Sequence, residues 1–162
     1  MKLDKKRRIE HKTNYRKRLD LLKSESPRLV IRKTNMYIIL HIIESKDAQD
    51  SVLYTVNTRE LLEYGWPENK KGSLKSITAA YLGGLLLGKK AKEIKGRVIL
   101  DTGLIPSTKG SRIYASVKGT IDSGLKINCD AKVFPSKDKI EGKENELIDI
   151  FNKVKGNIGG NK

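Results

Sequence analysis

An α/β fold, with a mixed β-sheet flanked by helices behind a basic amino-terminal arm, follows from three observations on the sequence. Three runs rich in β-branched residues stand close together between residues 28 and 58. A long stretch of helical periodicity comes next, and then a strand-like and a helical segment in alternation. The first 26 residues also differ in composition from everything after Pro27. Strands first, then helix–strand–helix, put one mixed sheet under a cover of helices. At 162 residues the chain is of single-domain size. The expected division is an arm over 1–26, a globular body over 27–142, and a helix with a flexible tail over 143–162.

The arm, "KLDKKRRIEHKTNYRKRLDLLKSES", is charged and free of Gly and Pro. Tyr15, Leu19 and Leu22 fall at helical spacing and form a stripe that can dock on the body. Arg8, Lys12 and Arg16 recur every four residues on another side. So few apolar residues precede Tyr15 that the first dozen are expected to order on a partner. "RLVIRK", "MYIILHIIES" and "DSVLYTVNT" read as three antiparallel strands, the last two joined by a turn at Lys46–Gln49. "TRELLEYGW" reads as a short helix with Thr58 as N-cap and Gly65 as its stop.

From Ile77 the residues Ala80, Gly84, Leu87, Ala91 and Ile94 recur at steps of three and four, one face of a long helix starting near Ser73 or Ser76. "RVILDTGL" reads as a strand entering a loop and "SRIYASVKGTIDSGL" as a helix ending near Gly124. "ENELIDIFNKVKG" is a final short helix, with "NIGGNK" as a loose tail.

Charge narrows the function. The chain carries 34 Lys+Arg against 19 Asp+Glu, a net charge of +15. Residues 1–33 hold 13 of the cations and 4 of the acids, a net of +9. Clustered positive charge attracts polyanions, and nucleic acid is the expected partner. The lone Cys129 cannot form an internal disulfide and suits a reducing compartment. With no apolar run of membrane-spanning length and no secretory signal, the expected location is the cytoplasm.

Two motifs mislead. Gly83, Gly88 and Lys89 fit the G-x-x-x-x-G-K spacing of phosphate loops. Such a loop follows a strand and needs Ser or Thr after its lysine, whereas here Lys90 takes that place and an amphipathic helix surrounds the glycines. Close helix-to-sheet packing accounts for them better. "ILDTG", residues 99 to 103, resembles the catalytic turn of aspartic proteases. Those proteins are almost wholly β and pair two such aspartates; here Asp101 is expected to end a strand and hydrogen-bond the turn backbone. His11, His41 and Cys129 make no zinc site, and no metal or cofactor is expected.

What remains is basic and polar. "KTNYRKRL" sets Asn14 and Tyr15 among cations, types that bond bases or stack on them. Arg28, Arg32 and Lys33 mark the edges of the first strand, with Asn35 and Tyr37 at the following turn. Lys109, Ser111 and Arg112 cluster where a Gly-containing loop enters a helix, whose free N–H groups favour anions.

The blocks "KTNYRKRL", "PRLVIRKTN", "ELLEYGW", "AAYLGGLLLGKKA", "ILDTGL" with "KGSRIYASVKGTIDSGL", and "FPS", in this order over Lys5 to Gly142, resemble ribosomal large-subunit protein eighteen in its archaeal and eukaryotic form. The resemblance implies a ribonuclease-H-like mixed sheet with helices on both faces and no catalysis. It implies a structural constituent of the large ribosomal subunit that binds 5S rRNA and attaches it to the central protuberance. Large-subunit 23S-type rRNA and neighbouring ribosomal proteins would be its further partners. RNA contacts carried over by position are Arg7, Arg8, Lys12, Tyr15, Arg16, Lys17 and Arg18 in the arm. Arg28, Arg32, Lys33, Thr34 and Asn35 match the strand-and-turn block, and Lys109, Ser111 and Arg112 the loop block. Thr34 stands where serine is more usual, and Asn128-Cys129 where a proline-histidine pair is more familiar. The alternative reading, a metal-dependent nuclease on the same sheet, needs several converging carboxylates. Asp101 alone ends a strand in the right manner, with Glu44 and Asp50 at strand margins.

Overall fold

The computed structural model describes residues 5–46, 49–142 and 145–160. Five strands form one sheet: β1 (Arg28–Lys33), β2 (Ile38–Lys46), β3 (Gln49–Asn57), β4 (Arg97–Asp101) and β5 (Lys126–Ile127), in the order β3-β2-β1-β4-β5. The first three are antiparallel neighbours, while β4 runs parallel to β1 and β5 parallel to β4. The mixed sheet is thus as expected, and the short β5 is an addition. The turn anticipated at Lys46–Gln49 includes residues 47–48, which lie outside those described, but its flanking strands pair there through Lys46 and Gln49.

Alternation divides the sheet's two faces. Leu29, Ile31, Leu40, Ile42 and Val56 point inward and are fully buried. Each such side chain is worth about 1.5–3 kcal/mol of burial. They meet α3 (Ile77–Lys90), whose N-cap Ser76 accepts the Ala79 N–H. α4 (Arg112–Asp122) packs along α3 in the same layer, and its chain turns at Gly124 with φ +109°.

The glycines of the false phosphate loop sit at these contacts. A Cβ on Gly83 would lie 3.2 Å from Leu40 Cδ1, the expected helix-to-sheet approach. For Gly84 and Gly88 the neighbour is instead α4. A Cβ on Gly84 would fall 2.1 Å from the Ser116 carbonyl oxygen, and one on Gly119 the same distance from that of Tyr81. The two helix backbones touch.

Local chemistry shifts several boundaries. The "TRELL" segment is a 3-10 helix over Thr58–Leu62, capped by Asn57 rather than Thr58, with Glu60 completing a capping box. Thr58 is drawn inside, where its hydroxyl accepts the Ile38 N–H at 3.0 Å. After α5 (Lys137–Glu141), α6 spans Asn145–Gly159, so the helix runs through the first half of the segment expected as a tail. It buries Phe151, Val154 and Ile158, and Lys89 Nζ donates to the terminal carbonyls of Ile158 and Gly160. That ammonium caps the negative end of the helix.

The arm is two helices, not one. α1 (Lys6–Ile9) ends at Glu10, His11 takes φ +50°, and α2 (Tyr15–Leu22) starts afresh from the N-cap Asn14. Arg8, Lys12 and Arg16 therefore do not share one helical face. Leu19, assigned to the docking stripe, is 54 % exposed; Arg18 and Leu21 are on the sheltered side.

On the face of the sheet opposite α3, register places Arg28 beside Ile43 and Ile99, and Val30 beside His41 and Asp101. The arm is tied to this side at two points, by Lys17 to Gly103 after β4 and by Arg18 to Asp50 at the start of β3. Ile39, His41, Ile43 and Thr55 farther along are only half-buried or exposed. A register shift between Ile42 and Ile43 leaves Leu53 as a bulge on β3.

Candidate nucleic-acid interface

The candidate interface is built from the arm, one end of β1 and the loop after β4. Asn14 starts α2 by accepting the Lys17 N–H on its side-chain oxygen, 3.1 Å away. Lys17 Nζ then donates to the Gly103 carbonyl at 3.1 Å, fixing the arm over the Asp-Thr-Gly turn. Arg7 Nε donates to Thr13 at 2.8 Å, Lys12 pairs with Glu10 at 2.9 Å, and Lys5 lies 4.6 Å over the Tyr15 ring.

The space between is an open cleft of about 380 Å³ lined by Arg7, Lys12, Lys17, Arg18, Arg32 and Lys33, with Asp101 at its base. A second hollow of about 470 Å³ is lined by Arg8, His11, Tyr15, Arg16 and Leu104. The two share Thr13, Asn14 and Leu104 as a common wall. Cationic walls around an open groove suit phosphate binding.

The cleft has a wired floor. Arg28 is 2 % exposed, and its guanidinium reaches Asp101 at 3.1 Å, Asp50 at 2.8 Å and Ser45 at 2.9 Å. Arg18 takes the other oxygen of Asp50 at 2.7 Å, and Arg32 approaches Asp101 at 3.5 Å while donating to its carbonyl at 3.0 Å. Signs alternate along the series Arg18, Asp50, Arg28, Asp101, Arg32. Burial pushes the Asp50 carboxyl upward, but the Ser45 hydroxyl and the Arg18 and Arg28 guanidiniums outweigh it and hold the group below its ordinary value.

Arg28 is thereby corrected. The sequence places it as an RNA contact at a strand edge, whereas in the structure it is an interior strut, 2 % exposed. Thr34 builds the β1–β2 turn, its hydroxyl donating to the Tyr37 carbonyl at 2.8 Å and accepting the Tyr37 N–H at 2.9 Å. Asn35 stands exposed at the tip, and Tyr37 packs partly against the core. Lys109, Ser111 and Arg112 line neither hollow. The Gly110 N–H donates to the Val133 carbonyl at 2.8 Å, so that loop is anchored to the chain after β5. Of the predicted cations, those of the arm with Arg32 and Lys33 of β1 line two adjoining hollows, and the loop block lies apart from them.

Sequence reasoning missed the sheet surface next to this cleft. His41 bonds Thr55 at 2.8 Å, and burial first, then the Arg32 charge, hold its imidazole below the ordinary value. In "YIILHII" both faces read as apolar, so the single histidine was the only signal of a half-open face. Asp101 behaves as expected at its turn, accepting the Gly103 N–H at 2.8 Å. Its carboxylate is taken up by two arginines and that amide. Among the described residues no three His, Cys, Asp or Glu gather as metal ligands.

Residues 1–97 match the family described as "Ribosomal large subunit proteins 60S L5, and 50S L18". The chain belongs to that family. It is 45 % identical over 138 residues to the large ribosomal subunit protein uL18 of Korarchaeum cryptofilum, covering 85 % of this chain and 69 % of the relative. The uL18 protein of Methanoregula boonei is 37 % identical over 154 residues, 94 % of this chain and 84 % of its own length. The family is a structural component of the large ribosomal subunit, not an enzyme family, which overturns the nuclease alternative. As a member of the L18 family the chain has a structural ribosomal role.

Proposed function

We propose that this L18-family protein binds 5S rRNA and attaches it to the central protuberance of the large subunit, in the cytoplasm. Large-subunit 23S-type rRNA and adjacent ribosomal proteins are its other partners. The observation that supports this reading best is the convergence of Arg7, Lys12, Lys17, Arg18, Arg32 and Lys33 on one cleft. Phosphates in that cleft displace counterions and give salt-sensitive affinity, while Arg8, Arg16 and Tyr15 in the adjoining hollow add charge and a stacking surface. Asn35 at the β1–β2 tip, and Lys109 with Arg112 at the start of α4, extend the footprint.

Titration of 5S rRNA with the full chain and with a chain lacking residues 1–23 tests the reading. The full chain binds with a steep dependence of affinity on salt, and the shortened chain loses affinity and most of that slope. Equal binding by both at every salt concentration refutes the arm's role. Competition by unrelated RNA at equal affinity refutes the 5S assignment.

A further inference from the structure

α2 is an arm helix with little apolar burial to hold it, Tyr15, Leu21 and Leu22 being only half-buried. It has eight residues and buries none of them. A helix that short is marginal by itself in water, and a helix without a buried face gains little from docking. Its position over the sheet therefore depends on polar tethers. Lys17 supplies one, to the neutral acceptors of Thr102 and Gly103 at 3.5 and 3.1 Å. Arg18 supplies the other, to Asp50 at 2.7 Å, and this one joins full charges.

Asp50 is an unusually fixed acceptor for a residue near a hairpin end. Its second oxygen accepts from the Ser45 hydroxyl at 2.5 Å and from Arg28 at 2.8 Å. Arg28 is buried and is itself held by Asp101. Arg18 thus meets a carboxylate already immobilised from the inside of the fold. Surface ion pairs are weak chiefly because two mobile side chains must be ordered; here one partner is ordered beforehand.

We propose that Asp50 is a positioning residue for RNA capture: it clamps α2 onto the sheet in the free protein, so that the arm's cations meet RNA already assembled with those of β1. The proposal rests on the arm being an RNA-binding element, as argued above. Its sign is opposite to that of simple electrostatics. An acid beside a phosphate-binding cleft repels the ligand, so removing it should tighten binding. A clamp that preorganises the cleft makes removal weaken binding, because the ordering cost moves to the binding step.

Hydrogen exchange on the full chain without RNA reads the clamp directly. In Asp50→Asn, the amides of residues 15–22 exchange about tenfold faster or more, while those of β1 are little changed. Affinity for 5S rRNA falls about three- to tenfold, and Asp50→Glu recovers most of it. Asp50→Asn also removes a partner of buried Arg28, so Arg18→Met serves as the second variant because it leaves the Asp50–Arg28 pair intact. It frees α2 to the same extent, and exchange over residues 15–22 in the double variant is no faster than in either single one, since both changes break the same link. Unchanged exchange over 15–22 in both single variants overturns the clamp, as does tighter RNA binding by Asp50→Asn. If the chain lacking residues 1–23 binds RNA undiminished while Asp50→Asn still frees α2, the clamp stands and the arm's role in RNA binding falls.

Discussion

Arg28 Nη1 lies 3.1 Å from Asp101 Oδ2, a pairing between residues 73 apart in sequence that sits on the face of the sheet under the arm. Each residue sits mid-network, so removing either leaves a buried partner with fewer of its charged contacts. Replacing one half of such a pair usually costs about 3–5 kcal/mol, since the other half keeps its desolvation penalty. Asp101 retains Arg32 and the Gly103 N–H, and Asp50 retains Arg18. Arg28→Met is therefore expected near the low end, about 3 kcal/mol, measured by urea unfolding. A loss below about 1 kcal/mol would show that the strut contributes only packing.

The α3/α4 crossing gives a prediction of different origin. Gly84→Ala drives a methyl to 2.1 Å from the Ser116 carbonyl oxygen, which is backbone and cannot swing aside. A loss of about 3 kcal/mol is expected from this overpacking. Gly72→Ala, with nothing within 4 Å of the added carbon, serves as the control. It should leave stability within about 0.5 kcal/mol of wild type or raise it slightly.

Lys89 tests the capping of α6. Lys89→Met keeps the aliphatic stem and removes the ammonium that holds the Ile158 and Gly160 carbonyls. The last turn of α6 should exchange its amides faster, with a loss of about 1 kcal/mol in global stability. Unchanged exchange in that turn would mean solvent satisfies those carbonyls equally well.

Stability should also fall on acidification, with His41 as one contributor. Its imidazole is held below its ordinary value of 6.5, so the unfolded chain takes up a proton first. The contribution is present above pH 6.5 and is lost as pH falls through the folded-state value. Asp50 acts in the same direction at lower pH, because its folded value lies below the ordinary 3.8. In His41→Gln, the stability-against-pH curve should be flatter just below neutrality and unaltered near pH 4 and under, by the titration range of carboxylates. An unchanged curve would remove His41 from the account.

Single cations can be ranked by salt dependence. Lys33→Ala and Arg16→Ala should each lower the slope of log affinity against log salt by about one, as for a lost phosphate contact. Arg28→Met should leave the slope unchanged, because its charge is neutralised inside the protein. A slope change equal to that of Lys33→Ala would return Arg28 to the interface.

The strands were legible because their β-branched runs are short and punctuated, and α3 because its small and apolar residues keep a strict period. The Asp101 turn was legible from Asp-Thr-Gly alone. What escaped depended on distant partners. The interior position of Arg28 requires Asp50 and Asp101, and nothing local in "PRLVIRK" reveals them. The break in the arm at His11 to Asn14 lay hidden in a stretch rich in charge, and the spacing of Tyr15, Leu19 and Leu22 does not show that Leu19 turns outward. Asn57 and Glu60 carried an explicit capping signature, and Thr58 was preferred only because its burial under Ile38 could not be foreseen. The separation of Lys109 and Arg112 from the arm cleft is a matter of how the loop after β4 is pinned to Val133, which spacing does not encode.

The bulge at Leu53 has a consequence for the chain before it reaches its RNA. β3 is the outer rim of the sheet, nine residues long and bearing outward-facing Val52 and Leu53. A straight rim of that length is a template on which another copy could stack laterally. The extra residue breaks the even ladder of free N–H and carbonyl groups midway and increases the local twist. A newly made copy is thus guarded against self-association by one surplus residue, during the interval when its cations are still uncovered.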